Sequence, residues 1–420
     1  MEKPKLYESR RDVFLTFGLL GLFLLFHLLY EYRNYRNFIS LPFYYTYANV
    51  ETARIKENHG RRYQVLKVKS QDGKTFYTTT HEKKLLNGYR LRLQIFPDSS
   101  ISFGDYLGTF YVKSRIKAKE RQPLGSKSYL MEKVASQHEN KMMQAFYNAI
   151  FFATPIPQVL RDKITLLGVS HLVALSGFHL GILWALVYGG LLQLYKPLQQ
   201  RYFPYRFALI DVGAVSILLL GAYVLFVGAP PSLVRSYAMV FLGWLLLILG
   251  VELLSFPFLF TIAALLFVLY PSLVVSLSFW FSFFGVFYIF LLLKYTGHWN
   301  KWVITLLVIP VGIFLLMLPV VHTFFPLTSH WQILSVLLSL LFIPFYPLMI
   351  LLHLCGCGDW FDAALGYLFS LPESGSEVWM SWWMVGIYAV LSIGAIWRKS
   401  LFVLLFATAV VYAVYLFGLH

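Results

Sequence analysis

The residues best suited to chemistry lie in one stretch, His171-Leu-Val-Ala-Leu-Ser-Gly-Phe-His-Leu-Gly181, at the start of a long apolar segment. Ser176 and His179 are three residues apart, so on a helix they share a face and can form the hydrogen bond of a serine nucleophile and a histidine base. Gly177 and Gly181 are four apart, a spacing that lets helix backbones approach closely. Because polar groups at membrane depth usually face a bundle interior or a water-filled path, this stretch predicts a polar, tightly packed seam.

A metal site is not predicted at these histidines. Eight residues of helix rise roughly 12 Å, so one ion cannot contact both His171 and His179 unless the helix is broken. The sequence has no HExxH motif and no dense His/Asp cluster, and Val68 stands where a phosphate loop ending at residues 73–75 needs its first glycine. We therefore predict no metal, no cofactor, no nucleotide-driven motor and no enzymatic activity.

A second interruption of the apolar sequence carries an arginine. It reads Gly228-Ala-Pro-Pro-Ser-Leu-Val-Arg-Ser236. Its prolines, the second of them Pro231, cannot continue a preceding helix but can begin a new one, and Ser232 can bond the amides exposed there. With Arg235 one turn further on, this helix start predicts an anion site like those that transporters build from broken helices. The alternative is an ordinary loop whose arginine reaches toward lipid headgroups.

The composition is that of a membrane protein with several spans. Of the 420 residues, 58% are hydrophobic and 13% are charged, against roughly 25% charged residues in soluble domains. About ten apolar segments are candidates for helices that cross the roughly 30 Å hydrocarbon core. They lie near residues 13–30, 167–192, 207–228, 233–253, 257–270, 273–293, 302–320, 331–352, 378–396 and 401–417. The first is interpreted as an uncleaved anchor, because no small-residue cleavage pattern follows it.

Positive charge is concentrated in one part of the chain. Residues 31–122 contain 18 Lys and Arg against 8 Asp and Glu, a net charge of +10 out of +15 for the whole chain. Residues 167–420 contain 8 basic and 6 acidic side chains, a net charge of only +2. A compact basic module beside a membrane bundle suits a polyanion, either lipid headgroups or nucleic acid. The alternative is a solvated basic face that keeps the module soluble.

The basic segment has the sequence pattern of a small β-domain. Residues 63–69 and 75–80 favour strands and flank Asp72-Gly73, a hairpin signal. From residue 89 to 96 the sequence alternates, with Leu91 and Leu93 on one side and Arg90 and Arg92 on the other. With an opening strand near residues 50–55 and a closing strand near 109–116, five short strands predict an OB-like barrel.

Such barrels bind single strands by stacking bases on aromatic rings and steering phosphates with basic side chains. The candidate DNA-binding side chains are Arg61, Arg62, Lys67, Lys69, Arg90, Arg92, Lys113 and Arg115. Aromatic residues are interleaved with them, namely Tyr63, Phe76, Tyr77, Phe103, Tyr106 and Tyr111. Because a small barrel must fill its interior, at least half of these rings are expected in its core.

Four segments follow from these patterns. Residues 1–44 form the membrane anchor and linker, and 45–120 form the basic OB-like barrel. Residues 121–160 contain an amphipathic helix, at 129–152, which either lies on the membrane surface or packs against another domain. Residues 161–420 form the multi-span membrane domain. The predicted fold is a polytopic α-helical membrane protein with a small all-β barrel inserted after the first span.

Two motifs resemble a known family. The stretch from His171 resembles the signature H-L-[LV]-A-[IL]-S-G-[LF]-H-[VL]-G of the ComEC competence proteins, and Pro231-Ser-Leu-Val-Arg-Ser resembles their P-S-x-x-R-[AS] segment. Phe279-Trp-Phe-Ser-Phe stands where that family has F-Q-L-S-F, with Trp280 in place of glutamine. The chain resembles a short member of the family, without the C-terminal metallo-β-lactamase-like domain of long members.

The resemblance implies an inner-membrane channel that passes single-stranded DNA into the cytoplasm during natural transformation. It also implies a barrel on the periplasmic side. The charges themselves do not decide the orientation, because basic residues flank both ends of the first span. The partners implied are single-stranded DNA, a periplasmic DNA receptor, a cytoplasmic ATP-driven motor, single-strand-binding proteins and membrane lipids. The residues expected to line or shape the path are His171, Ser176, Gly177, His179, Gly181, Pro231, Ser232, Arg235 and Ser282.

Two other functional classes stay open at this point. An intramembrane serine hydrolase would use Ser176 and His179 but leaves the basic module unexplained. A secondary transporter of small anions would use the broken helix at residues 230–232.

Overall fold

The structure is a computed structural model that describes residues 6–7, 9–58, 61–82, 84–121, 125–248, 250, 255–372 and 375–418. The chain forms two compact units. The sheet unit comprises Tyr7–Gly125 and Phe260–Leu277. The helical unit comprises Ser126–Leu259 and Ser278–His420, together with Met1–Leu6.

The sheet unit contains one six-stranded sheet in the order β5-β3-β2-β1-β4-β6. The strands are β1 (Tyr44–Asn58), β2 (Arg61–Ser70), β3 (Thr75–Thr80), β4 (Tyr89–Phe96), β5 (Thr109–Tyr111) and β6 (Lys113–Arg121). Two helices belong with them, α1 (Arg10–Ser40) and α2 (Phe103–Leu107). All neighbouring strands pair antiparallel except β3 and β5, which are parallel. Gly73 and Gly88 adopt the left-handed conformation that the two predicted turns require.

Alternation sorts the strand residues into a buried face and an exposed face. In β4, Leu91, Leu93 and Ile95 are buried, whereas Arg92 is exposed, so the predicted period of two is confirmed. The core continues through Leu66 and Val68 of β2, and side chains of α1 pack against it. The opposite face of the sheet is therefore free to carry polar and aromatic side chains.

The predicted β-domain is confirmed as a sheet, with six strands instead of five. The predicted closing strand is divided into β5 and β6 by Val112, and α2 precedes it. Closure into a barrel is not confirmed, since no backbone ladder pairs β6 with β3 or β5 in the described residues. β3 and β6 are joined instead by single contacts: the hydroxyls of Thr78 and Ser114 are 2.7 Å apart, and the Val112 amide, just before β6, donates to the Tyr77 carbonyl at 2.9 Å.

The helical unit is built almost entirely of helices. They are α3 (Ser126–Ala135), α4 (Lys141–Phe152), α5 (Gln158–Leu166), α6 (Ser170–Val173), α7 (Gly177–Tyr202), α8 (Ala208–Phe226), α9 (Pro231–Ile248), α10 (Phe256–Leu269), α11 (Leu277–Thr296), α12 (Lys301–Val303), α13 (Ile309–Val321), α14 (Leu334–Cys355), α15 (Asp362–Phe369), α16 (Trp382–Gly394) and α17 (Lys399–Gly418). From Phe260 onward α10 belongs to the sheet unit. Residues 304–308 join α12 to α13 as a π-helical turn. Two-residue strands β7 (Leu327–Thr328) and β8 (Ser376–Glu377) pair antiparallel.

Seven helices of the described chain are long and apolar enough to cross a membrane. They are Arg10–Ser40, Gly177–Tyr202, Ala208–Phe226, Leu277–Thr296, Lys301–Val321, His330–Cys355 and Lys399–Gly418. Three further predicted spans correspond to the shorter apolar helices Ser232–Ile248, Phe256–Leu269 and Trp382–Gly394. A membrane protein with several spans is therefore confirmed, and the count of ten is not.

The predicted amphipathic helix at 129–152 is two helices. α3 ends at Ala135 and α4 begins at Lys141, with Asn140 capping α4 through a 2.8 Å bond from the Met142 amide to its side chain. Most of α4 is buried, and it packs with α5, α6 and α14 in one apolar core. Of the two predicted settings of this segment, α4 matches packing against other protein elements.

Candidate functional site

The His171–Gly181 stretch is not one continuous helix. α6 ends after Val173, Ala174 is extended, and α7 starts at Gly177 with Ser176 as its N-cap. The Ser176 hydroxyl accepts a bond from the Phe178 amide at 3.3 Å. The break places polar backbone groups at the centre of the predicted seam, where an uninterrupted helix would have hidden them.

Ser176 and His179 do interact, as their spacing predicted. The His179 Nδ1 atom lies 3.4 Å from the Ser176 amide and 3.3 Å from its hydroxyl, so the imidazole closes the cap in the place that glutamate or glutamine usually takes. The ring is fully buried, at 5.0 Å from the rings of Phe342 and Tyr346. Its Nε2 atom has no hydrogen-bond partner by distance and angle, and no ion pair among the described residues involves His179, so no carboxylate orients the ring as in a hydrolase triad.

The start of α9 holds this break in place. The Ser232 hydroxyl donates to the Leu175 carbonyl at 2.9 Å, and the Ser236 hydroxyl donates to the Ser232 carbonyl at 2.8 Å. Pro231 is the first residue of α9, as predicted; its side chain lies outside the described residues. The two helix starts are thus joined by Ser232, which bonds α9 to the residue before the α7 cap.

Arg235 is buried in the helical unit. Its side chain is 6% exposed. Both Nη atoms lie 3.3 Å from the Ser278 hydroxyl on α11, and the guanidinium carbon lies 5.8 Å from the centre of the Phe279 ring. Its Nε atom has no hydrogen-bond partner, and no ion pair involves this arginine, within the part of the chain that the structure describes. A buried cation without a counter-charge is costly and marks a site that an anion can complete.

The other predicted path residues lie around these two groups. The His171 Nε2 atom is 3.1 Å from the Ser339 hydroxyl of α14. Ser282 lies one turn beyond Ser278 on α11, half-buried. Gly181 has no atom within 4 Å of the position where a Cβ would stand, so the close helix approach predicted for both glycines is present at Gly177 only. Ser278 was not predicted, because an isolated serine in an apolar helix carries no distinguishing pattern. Ser236 was not predicted as a site residue, although it ends the motif that begins at Pro231.

Replacing Gly177 with alanine should lower the thermal stability of the purified protein. The added Cβ would stand 2.9 Å from the Ser236 hydroxyl and 3.3 Å from its Cβ. Overpacking of this kind costs about 1–3 kcal/mol. Ser236→Ala removes the closer atom, so the double variant should recover most of the lost melting temperature. Gly181→Ala, in the same helix and facing open space, is the matched control and should be neutral or stabilising; an equal loss there would show that the contact with Ser236 is not the cause.

The exposed face of the sheet joins tyrosines to arginines. Tyr45 and Tyr47 of β1 are 46% and 43% exposed. The Arg90 guanidinium lies 5.2 Å from the Tyr47 ring centre, and Arg92 lies 5.7 Å and 5.9 Å from Tyr45 and Tyr47. We call these four side chains the tyrosine–arginine face. They combine flat rings with cations, and proteins that bind single-stranded nucleic acid use these two kinds of group together.

The predicted DNA-binding side chains are not equally available. Lys67 pairs with Glu51 at 3.0 Å and Arg62 with Glu57 at 3.1 Å, so the charge of each is offset locally. The other predicted side chains in the described residues are Lys69, Arg90, Arg92, Lys113 and Arg115, and no ion pair involves them. The side chain of Arg61 lies outside the described residues.

The predicted aromatic rings divide between the core and the surface. Phe76 and Tyr106 are buried, and Phe103 packs against the same core, whereas Tyr77 and Tyr111 are exposed. Tyr45 and Tyr47 were missed because the opening strand was predicted to start only near residue 50. The alternation Tyr45-Thr46-Tyr47-Ala48 was the signal that could have found them.

Helices long enough to span a membrane, a seam of broken helices and a basic sheet unit define the chain as a polytopic membrane protein with a polar interior site. The family model described as competence protein matches residues 153–420, and this chain belongs to that family. An uncharacterized protein of Aquifex aeolicus (strain VF5) is 27% identical over 250 residues, which are 55% of this chain and 56% of that protein. The chain thus spans little more than half the length of that relative. No solved structure matches the chain.

Proposed function

We propose that this protein is a channel that passes single-stranded DNA across the inner membrane into the cytoplasm during natural transformation. Membership of the competence family indicates a role in DNA uptake. The observation that carries the finer proposal is the tyrosine–arginine face, because exposed rings beside cations suit a strand whose bases are unpaired. In this proposal residues 45–120 bind the strand and residues 161–420 pass it on.

Inside the helical unit, the proposed path follows the seam and Arg235. Phosphate groups are anions that accept hydrogen bonds from guanidinium and from helix-start amides, and both are present here. His171, Ser176, Gly177, His179, Ser232 and Ser282 would shape this path. Since the sequence shows no nucleotide motif, the energy would come from a cytoplasmic ATP-driven motor, with single-strand-binding proteins and a periplasmic receptor as further partners.

The proposed orientation rests on the basic residues of the helical unit. Seven of the 8 basic residues between 167 and 420 lie at or near three helix connections. They are Lys196, Arg201 and Arg206 at α7–α8, Lys294 and Lys301 at α11–α12, and Arg398 and Lys399 at α16–α17. The Tyr295 hydroxyl donates to the Ala395 carbonyl at 2.6 Å, so the last two connections share one end. Basic connections favour the cytoplasmic side.

The α8–α9 connection lies at the other end of α8. There the Lys127 ammonium donates to the Val227 carbonyl at 2.6 Å, and burial lowers the pKa of this lysine. Lys127 is the second residue of the helical unit after residue 125. The start of α3 therefore lies at the end of α8 opposite the basic α7–α8 connection, and we propose that this end of the helical unit faces the periplasm.

The test follows labelled duplex DNA in a naturally competent strain that carries a clean deletion of the gene. The proposal expects label that reaches the periplasm and no label in the cytoplasm, with entry restored by the full-length gene. Label that enters the cytoplasm at the normal rate in the deletion strain would overturn the channel proposal.

A second candidate is a secondary transporter of small anions. The observation that favours it is the unpaired Arg235 beside two helix starts, which would also suit inorganic phosphate. The full-length protein in liposomes separates the two. Saturable uptake of radiolabelled phosphate, unaffected by an excess of single-stranded oligonucleotide, would favour the transporter; no uptake would leave the channel proposal in place.

A further inference from the structure

Two histidines and an aspartate meet in the helical unit away from the seam. His138 lies between α3 and α4, His353 lies at the end of α14, and Asp362 begins α15. The Nδ1 atom of His138 is 2.9 Å and 3.0 Å from the two Asp362 carboxylate oxygens, and its Nε2 atom is 3.0 Å from Nε2 of His353. Both imidazoles are buried, with 3% and 6% exposure. We call these three side chains the histidine–aspartate cluster.

The bonds of this cluster fix the number of its protons. Nδ1 of His353 faces the Met349 carbonyl at 2.7 Å, and because a carbonyl only accepts, this nitrogen carries a proton. The two Nε2 atoms form one bond and therefore share one proton. The bond between His138 and Asp362 holds a third. Two neutral imidazoles and an ionised carboxylate hold only two protons, so the bonding pattern requires one more.

We propose that the histidine–aspartate cluster is a proton-binding site that fastens the turn between α3 and α4 to the end of α14. With one shared proton the three groups are together neutral and every bond is made. When this proton leaves, one bond lacks its hydrogen. Either the lone pairs of the two Nε2 atoms face each other, or the Asp362 carboxylate faces the lone pair on Nδ1 of His138. When a further proton arrives, two N–H groups face each other and the cluster becomes positive.

The surroundings give this site few other charges. Tyr147 of α4 stacks on His138 with ring centres 4.4 Å apart and planes 8° apart, and it also lies 4.7 Å from His353. Burial, followed by the nearby Asp362 charge, raises the pKa of the Tyr147 phenol, so it stays neutral and does not take the proton. Among the described residues, the titratable groups that face the two imidazoles are Tyr147 and Asp362.

A second set of bonds at the same junction does not depend on pH. The Gln137 amide nitrogen donates to the His353 carbonyl at 3.0 Å, and the Gly358 amide donates to the Gln137 side-chain oxygen at 2.9 Å. These bonds involve only uncharged groups. They can be compared with the histidine–aspartate cluster, because losing them should loosen the contact between the α3–α4 turn and the end of α14 equally at every pH.

The cluster is connected to the seam by direct packing. α4 shares its apolar core with Leu172 and Val173 of the His171–Gly181 stretch and with Tyr346 and Met349 of α14. Tyr346 is the residue whose ring lies 5.0 Å from His179. A change in how the α3–α4 turn is held therefore reaches the seam through one continuous core.

The test is hydrogen–deuterium exchange of residues 136–140 in the full-length protein in detergent, between about pH 5 and pH 9. Rates are divided by the intrinsic rate at each pH, and every measurement is made in parallel with and without EDTA. The wild type should be most protected near neutral pH, with protection falling about tenfold toward both extremes, the size expected for losing a charge-assisted hydrogen bond. In Asp362→Asn the proton is held less firmly, so loss of protection on the alkaline side should begin at lower pH.

Two more variants keep the test decisive. In His353→Gln the amide oxygen can accept from a fully protonated His138, so the loss of protection on the acid side should disappear. Gln137→Ala should raise exchange by the same factor at every pH. A wild-type profile without pH dependence, or identical profiles for Asp362→Asn and Gln137→Ala, would overturn the proposal. Protection that collapses at all pH values only when EDTA is added would show a bound metal ion and overturn it equally.

Discussion

Replacing Arg235 with methionine is expected to abolish most DNA entry while leaving the protein folded. Arg235 is 6% exposed, its guanidinium bonds to one serine hydroxyl, and it has no carboxylate partner in the described residues. Removing an uncompensated buried charge and filling its volume with an apolar side chain is often neutral or stabilising. A hydrogen bond to a charged group contributes about 1.5–3 kcal/mol, so losing the contact with a passing phosphate should lower transformation by between about tenfold and 100-fold.

The measurement pairs transformation frequency with the melting temperature of the purified protein. The matched control is Arg201→Met, in the last turn of α7, where the arginine is exposed and should be dispensable. Arg235→Lys keeps the charge and should retain part of the function. If Arg235→Met lowers the melting temperature and the abundance as strongly as the transformation frequency, the arginine supports the fold and is not part of the proposed DNA path.

The double substitution Tyr45→Ala with Tyr47→Ala should weaken binding of single-stranded DNA by at least about 30-fold. Both rings are exposed on one strand, and stacking contributes about 1–3 kcal/mol per base. Stacking involves no counterion release, so the slope of log affinity against log salt should not change. The measurement is a salt series of oligonucleotide binding to the full-length protein in nanodiscs.

Changing Arg90 and Arg92 to glutamine should instead reduce the slope of log affinity against log salt. Each lost phosphate contact reduces the salt slope by about 0.7 for single strands, so the pair should reduce it by about 1.4. Lys67→Ala serves as the comparison, because Glu51 already offsets that charge at 3.0 Å and the slope should hardly move. Equal salt slopes for the wild type, the Arg90 and Arg92 double variant and Lys67→Ala would show that the tyrosine–arginine face does not contact the phosphates.

The sheet was predictable because its signal is local. Alternation from residue 89 to 96 and the Asp72-Gly73 and Asn87-Gly88 turns follow from side-chain period and from the freedom of glycine to adopt positive φ. The partly open arrangement was not predictable, since it depends on whether distant edges meet. Here the hydroxyl of Thr78 on β3 contacts that of Ser114 on β6, and no ladder pairs these two strands in the described residues.

The seam was predictable in composition but not in backbone path. Ser176 and His179 were selected from their spacing, and their hydrogen bond is present. The helix break between them and His171 was missed, because apolar residues continue across it and the cap is closed by histidine, which the usual capping signature does not include. The partner of Arg235 is 43 residues away, a separation that leaves no local signal.

The histidine–aspartate cluster shows the same limit in a stronger form. His138 meets Asp362 across 224 residues and His353 across 215 residues. In the sequence His138 is one of six consecutive polar residues, Ser136-Gln-His-Glu-Asn-Lys141, and nothing local links it to His353 or Asp362. Only the division of the expected helix at 129–152 into α3 and α4 brings His138 to the end of α14.

The sheet unit takes its residues from two separated parts of the chain, and this affects the order of biosynthesis. Val268 and Val275 belong to it although they follow the sheet by well over a hundred residues, and His27 Nδ1 lies 2.8 Å from the Val268 carbonyl. The ribosome therefore finishes every strand of the sheet before it makes this last piece. Translation must continue through α7, α8 and α9 before the unit is complete. A gene fragment that ends at Gly125 would leave His27 without this partner and would need a detergent or a companion peptide covering residues 260–277 to complete the unit.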